Sequence, residues 1–353
     1  MTDDNEFQLE VNHLSIDYNE LKAVDNVSFK LKKGQIGCLL GPSGCGKTTV
    51  LRSVAGFEIP DAGEIILHRQ LMSRAGWALA TEKRRVGMVF QDFALFPHLN
   101  VFQNITFGLQ AATAKEKKQR ADELLKLVGL SHKINAYPHE LSGGQQQRVA
   151  VARAMAPRPE ILLLDEPFSD IDTEQRQLLV HDIGLIIRQE KITTLMVTHD
   201  QLEAFAIADE IGVMKNGKMH QWSTGFDLYH KPNDLFVASF VGQGVLLECT
   251  ILDNNRVDTE LGIIQDGRLP GDFHKGDQAL VLIRPDDIIH DDDSEMTAEI
   301  LEKTFRGAEF LYSLRLPTGG KVLCFAPSHH NHKVGEHIGI RHEIDHLVTF
   351  KST

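Results

Sequence analysis

The run Gly41-Pro42-Ser43-Gly44-Cys45-Gly46-Lys47-Thr48 constrains this chain more than any other feature. It has the spacing GxxxxGK[ST], follows the apolar stretch 35–41, and opens a helix-like run that begins at Thr49 and ends near residue 55. Glycines at these positions let backbone N–H groups turn inward around phosphates, and the start of a helix adds partial positive charge. In that arrangement Lys47 reaches the β- and γ-phosphates of a nucleotide, and the Thr48 hydroxyl serves Mg²⁺. The expected phosphate-binding set is Gly41, Pro42, Ser43, Gly44, Cys45, Gly46, Lys47, Thr48 and Thr49. Cys45 reads as a small filler, with nothing nearby to suggest redox chemistry.

A strand–loop–helix unit of this kind needs a sheet to sit in. The apolar runs 161–165 and 193–199 read as further buried strands, and 115–129 and 145–156 as helices. Such alternation predicts a mostly parallel sheet covered by helices. The segment 210–222 differs, with two extended runs about Asn216-Gly217, a hairpin signal. Beyond residue 240 the helical pattern fades. Short extended runs at 245–251, 279–284, 310–316, 322–326 and 337–344 predict a small all-β barrel or sandwich.

Composition narrows the class. A chain of 353 residues holds about two domains. With 42% hydrophobic and 24% charged residues it is not disordered throughout. Lys plus Arg is 37 against 49 for Asp plus Glu, a net charge of −12 that disfavours nucleic acid as a partner. No apolar run approaches the ~18 residues of a membrane span. The acidic start, residues 1–6, is unlike a secretory signal. Cys38, Cys45, Cys249 and Cys324 form no CxxC pair, so a reduced, intracellular setting is expected.

Two further motifs carry chemistry. Ile161-Leu162-Leu163-Leu164-Asp165-Glu166-Pro167 is an aliphatic strand ending in two carboxylates. Asp165 is thereby placed for Mg²⁺ and Glu166 to polarise a water. Leu141-Ser142-Gly143-Gly144-Gln145-Gln146-Gln147-Arg148 offers a second anion-binding helix start, with Ser142 as the cap and Gly143 and Gly144 in the first turn.

This last octapeptide, shortly before the aspartate-ending strand, resembles the signature of ABC ATPases. The resemblance implies an α/β P-loop ATPase domain over 1–240 with a helical subdomain about 91–156. Residues 241–353 are similar to the OB-like, TOBE-type regulatory domain of importer ATPases. It implies that ATP and Mg²⁺ bind, that Ser142, Gly143, Gly144 and Gln145 serve the γ-phosphate held by a second copy of the chain, and that two chains sandwich two ATP molecules. It gives Tyr18 the role of stacking on adenine, Gln91 that of touching Mg²⁺ and the attacking water, and His199 that of a switch at the γ-phosphate. Asp172 is counted with the nucleotide-contacting positions. One departure stands out: the family usually has Ser-Ala-Leu-Asp where this chain has Ser169-Asp170-Ile171-Asp172, which puts communication between the two ATP sites in question.

The resemblance also implies partners and place. Residues 93–99 are a plausible rim for a groove that receives a permease helix, with a periplasmic solute-binding protein as an indirect partner. The chain would lie peripherally on the cytoplasmic face of a bacterial inner membrane. Segments such as Ile283-Arg284-Pro285-Asp286-Asp287-Ile288 and Phe305-Arg306-Gly307-Ala308 are similar to importer ATPases of the ferric-ion type. Sulfate, molybdate, maltose and polyamine importers are the alternatives, with a soluble ATP-dependent regulator as a further one. A soluble ABC protein working on DNA or ribosomes is disfavoured by single copies of each motif and the absence of sustained heptads. Six histidines (His329, His330, His332, His337, His342 and His346) crowd the C-terminal part. Ferric iron prefers hard oxygen ligands, and no carboxylate or tyrosine cluster accompanies them, so no metal site is assigned there.

Overall fold

The strand Ile36–Leu40 is buried along its whole length, which requires a neighbour on each edge and cover on both faces. In the computed structural model, which describes residues 7–19, 21–265, 273–344 and 346–352, it lies third in a six-stranded sheet. The acidic start, residues 1–6, lies outside the described residues. The strand order is Lys218–Ser223, Glu210–Lys215, Ile36–Leu40, Thr193–Thr198, Ile161–Asp165, Val86–Val89. Every pairing is parallel except the first, a hairpin whose turn residues Asn216 and Gly217 have φ of 49° and 78°. Positive φ at both positions suits the tight turn anticipated there.

A second layer is not anticipated by strand–helix alternation. Leu21–Lys32, Phe7–Tyr18, Ala62–Leu67, Gln70–Arg74 and Trp77–Ala78 form a five-stranded antiparallel sheet in that order. One apolar cluster joins it to the parallel sheet, with Leu9, Val27 and Ile65 on one side, Leu163 and Val197 on the other, and Val50 and Leu51 of the helix Lys47–Ala55 between them. Arg84 is buried in the same region, and its guanidinium makes five hydrogen bonds: to Leu79 O, Ser53 O, Val54 O, Met72 O and Ser73 Oγ. It thus supplies donors to carbonyls in the last turn of the helix Lys47–Ala55, sharing Ser53 O with Gly56 N.

The helices Val101–Thr106, Ala114–Leu127 and Gly143–Met155 fall within 91–156, each opened by a reciprocal side-chain cap. The helix after the glycine loop begins earlier than the sequence suggests, at Lys47 rather than Thr49, and Gly143 and Gly144 open the helix Gly143–Met155 behind the Ser142 cap, ahead of its apolar run. Apolar periodicity starts late in both, because their first turns carry residues that serve the loop or the cap. Buried Asn104 fastens the preceding loop, donating from Nδ2 to Phe96 O, Leu99 O and Asn100 O and accepting from Phe96 N.

The chain divides into two compact units, residues 1–225 and 226–353. The helix Leu235–Phe240, before the composition change at 240, belongs to the second unit. Arg284 explains this grouping: it is buried, it donates to Ala238 O, Gln243 O and Tyr229 O, and its guanidinium lies 4.3 Å from the Tyr229 ring centre. Among its described residues this unit also forms two five-stranded antiparallel sheets around one core. The first runs Gly262–Gln265, Arg256–Thr259, Val245–Asp253, Gln278–Ile283, Thr349–Lys351. The second runs Ile288–His290, His337–His342, Thr297–Phe305, Glu309–Arg315, Lys321–Pro327. Cys249 and Cys324 are free and buried there, and burial pushes their thiols up to about 11 and about 12.

Candidate functional site

Parallel strands deliver their C-terminal ends to one edge of a sheet, where open α/β folds bind ligands. Here that edge collects Gly41 after Ile36–Leu40, His199 after Thr193–Thr198, Asp165 and Glu166 at the end of Ile161–Asp165, and Gln91 after Val86–Val89. Residues far apart in sequence are side by side because their strands are.

The segment 41–48 bends tightly against its surroundings. A Cβ on Gly46, whose φ is 102°, would lie 2.3 Å from Ala23 O, and one on Gly41 would lie 2.3 Å from Met214 O. Neither position accepts a side chain. Lys47 is 4% exposed, and its ammonium is held by Gly41 O at 2.8 Å and Pro42 O at 3.0 Å. Cys45 is buried beside it with Sγ 3.8 Å from Lys47 Nζ, and burial raises its thiol above the ordinary value. That agrees with a filler and not a reactive thiol.

Thr48 Oγ1 donates to Asp165 Oδ1 over 3.0 Å. Asp165 is 7% exposed; burial pushes its carboxyl above the usual aspartate range, while the Thr48 hydrogen bond pulls the other way. A hydroxyl and a carboxylate in contact at the start of a helix are hard oxygen donors that fit Mg²⁺.

Glu166 Oε2 lies 3.0 Å from His199 Nδ1. The pairing follows from register: Asp165 is opposite Val197, and Glu166 N donates to Val197 O over 3.0 Å, so the residues just past both strands meet. Glu166 has a φ of 43°, an unusual conformation for a residue with a side chain, held where the strand turns away.

Tyr18 ends the strand Phe7–Tyr18 and is half exposed. Burial first, and then the neighbouring Glu58, raise its phenol, while Thr49 and Arg52 lower it. It is therefore next to the first turn of the helix that follows the glycine loop. Gln91 is exposed beyond its strand.

Ser142, Gly143, Gly144 and Gln145 form their own cap: Ser142 Oγ accepts from Gln145 N at 3.4 Å and Gln145 Oε1 accepts from Ser142 N at 3.1 Å. These two bonds are reciprocal and join the cap to the first turn of its own helix. A Cβ on Gly143 would come 3.9 Å from Asp170 O, so the capped turn and the unusual Asp170 segment are neighbours. Asp172 caps the helix Thr173–Glu190, with Oδ1 accepting from Gln175 N at 3.1 Å.

Sequence reading passed over three supports. Arg176 donates to Ile171 O at 2.8 Å and lies 3.7 Å from Asp200, tying the segment before its helix to the turn after His199. Glu203 is buried behind that turn and accepts from Thr198 Oγ1 at 2.6 Å. Arg153 donates to Phe93 O at 3.0 Å and Ala94 O at 2.6 Å, bracing the loop after Gln91. Within 93–99 Phe93 is buried core, while Phe96 is half-buried with its ring 4.3 Å from the exposed Phe107.

The ABC transporter family profile matches residues 24–169, and the TOBE domain profile matches residues 281–350. The Fe(3+) ions import ATP-binding protein FbpC of Haemophilus influenzae is 42% identical over 280 residues, 79% of this chain and 79% of that protein. The chain belongs to the ABC transporter ATP-binding family. Another member, the spermidine/putrescine import ATP-binding protein PotA of Aliivibrio fischeri, is 38% identical over 324 residues, 88% of this chain and 85% of that protein. Among solved structures of the family, a Clostridium perfringens subunit of the cbiONQ transporter complex has a TM-score of 0.58 at 27% identity, covering 62% of this chain and 89% of that chain. A dimeric ATP-binding cassette with ADP and phosphate has a TM-score of 0.53 at 30% identity, covering 61% of this chain and 98% of that chain.

Proposed function

We propose that this chain is the ATP-hydrolysing, energy-coupling subunit of an importer, acting as a dimer beneath a permease. The observation that carries this reading is the edge described above, where a glycine loop, a hydroxyl–carboxylate pair and a carboxylate–imidazole pair adjoin. Gly41 through Thr49 wrap the phosphates, with Lys47 turning its ammonium from Gly41 O and Pro42 O toward phosphate oxygens. Tyr18 stacks on the adenine. Thr48, Asp165 and Gln91 would hold Mg²⁺, which when bound offsets charge on the β- and γ-phosphates. Glu166 accepts a proton from the attacking water, and His199 orients Glu166 and contacts the γ-phosphate.

The signature residues Ser142 to Gln145, together with Asp172, contact the nucleotide of the second copy, in keeping with a solved relative described as dimeric with ADP and phosphate. Residues 1–240, with the helical part 91–156, do this work, and 241–353 regulate it. Residues 93–99, with Arg153 and Asn104 behind them, receive the permease. Among the described residues no helix is long and apolar enough to cross a membrane. A peripheral position on the cytoplasmic face of an inner membrane is the reading that suits such a subunit, and a periplasmic binding protein completes the assembly.

Ferric ion is the proposed cargo, supported by the similarity to ferric-ion import proteins. Polyamine import is the second reading, supported by spermidine/putrescine import relatives that are 38% identical over 88–89% of the chain. Co-reconstitution with the permease and binding protein encoded beside it decides between them. ATP-dependent uptake of radiolabelled ferric ion, and not of putrescine, supports the first; the reverse supports the second. No ATP hydrolysis by the assembled complex contradicts both.

A further inference from the structure

His290 ends the strand Ile288–His290, and His330 and His332 lie in the loop after Lys321–Pro327. The fold brings these three together: one ring nitrogen of each lies within 4.8 Å of the other two. The centre of the His290 ring is 4.6 Å from that of His330 and 4.9 Å from that of His332. The side chain of His290 is only 4% exposed, and its buried Nε2 faces the exposed Asp292 carboxylate at 3.2 Å, poorly aligned for a hydrogen bond. Nε2 of His332 is buried with no hydrogen-bond partner. One buried ring nitrogen without a partner beside another that is poorly satisfied costs stability unless something supplies a bond there.

The loop is held as if for that purpose. Tyr312 is fully buried, and its hydroxyl donates to His330 O over 2.6 Å while accepting from His332 N over 3.1 Å. Lys303 donates to His332 O at 2.8 Å and to the side chain of Asn331. Both histidines are thus fixed through their backbone, with their rings packed beside that of His290.

We infer that His290, His330 and His332 form a binding site for a divalent transition metal of the Zn²⁺ class. Three imidazoles are borderline-soft ligands, suited to Zn²⁺ and unsuited to Fe³⁺, so the site is separate from the proposed cargo. Zn–N bonds of about 2.0–2.1 Å place tetrahedral ligands roughly 3.4 Å apart, so small χ rotations close the cluster on an ion. Asp292 Oδ1 lies 3.2 Å from His290 Nε2, the spacing of two ligands on one such ion, and is positioned as the fourth ligand. Glu336 Oε2 is 3.6 Å from His332 Nδ1, the opposite nitrogen, where a carboxylate orients a ligating imidazole.

Co²⁺ titration of the full-length, chelator-treated chain under anaerobic conditions tests the site, because tetrahedral Co²⁺ absorbs in the visible. One equivalent should give tetrahedral bands that Zn²⁺ abolishes and Mg²⁺ does not. The double variant His330→Gln, His332→Gln should lose the bands, with affinity reduced beyond the about 10–100-fold typical of a lost supporting contact. His329→Gln, outside the set, should keep them, and circular dichroism verifies that each variant is folded. Absence of bands in the unsubstituted chain, or bands that survive the double substitution, overturns the inference.

Discussion

The hydroxyl of Thr48 and the carboxylate of Asp165, 117 residues apart, meet at 3.0 Å. This contact ties the first turn of the helix after the glycine loop to the end of the buried strand Ile161–Asp165. A nucleotide held by the loop therefore meets a carboxylate whose position the sheet, and not a mobile side chain, determines.

Lys47 tests the loop directly. Its buried ammonium occupies two backbone carbonyls that a nucleotide would replace with phosphate oxygens. Lys47→Ala should weaken binding of a fluorescent ATP analogue by about tenfold or more, since bonds to charged groups are each worth about 1.5–3 kcal/mol. Equilibrium fluorescence titration measures this, and unchanged affinity contradicts the assignment.

Glu166→Gln keeps the side chain's shape and its 3.0 Å neighbour His199 but removes the proton acceptor. ATP binding should persist while turnover falls about 10²–10⁴-fold. Near-normal phosphate release in a steady-state assay contradicts the role given to Glu166.

Glu203 gives a pH-dependent expectation. Burial is the main cause holding its carboxyl above the usual glutamate value, with Asp200 adding to it and Thr198 and Arg176 opposing. A raised value in the folded state means stability present below the ordinary glutamate range and lost as pH rises through the folded value. Glu203→Gln, which still accepts from Thr198, should therefore match or exceed the parent Tm at pH 7. Its advantage should vanish as pH falls below the ordinary glutamate range. A variant clearly less stable at pH 7 in calorimetry contradicts this account.

Arg84 carries a stability expectation. Burial pushes its guanidinium down to about 10, still charged at neutral pH and satisfied by five acceptors. Arg84→Met removes all five donated bonds, including the one to Val54 O at the end of the helix Lys47–Ala55. Unfolding free energy from urea titration should fall by about 3 kcal/mol or more.

Much of the nucleotide edge was legible in the sequence, because its groups lie within a few residues of strand ends that apolar runs reveal. Gly41, Asp165 and His199 each follow such a run directly. The antiparallel sheet was not legible in the same way: strands such as Leu21–Lys32 bury alternate residues, a weaker signal than the continuous run Ile36–Leu40. Arg84, Arg284 and Asn104 were missed because their hydrogen bonds run mostly to backbone carbonyls, which leave no partner residue type to search for. His290 was missed for another reason. It sits well before the C-terminal histidines and joins two of them only when the second β-sheet forms.

In the proposed mechanism each ATP is hydrolysed between the 41–48 loop of one chain and the 142–145 turn of another. Ser142→Arg places a bulky cation at that turn without touching Lys47 or Asp165, so this variant should bind ATP as a monomer and hydrolyse little. Lys47→Ala should also be inactive alone. The decisive measurement is ATPase activity after mixing the two, with sizing on the same sample. The account predicts that activity returns with a dimer, in which the Ser142→Arg chain's loop faces the intact turn of its partner. Full hydrolysis by monomeric Ser142→Arg protein, or no recovery in a mixture that does form dimers, would contradict it.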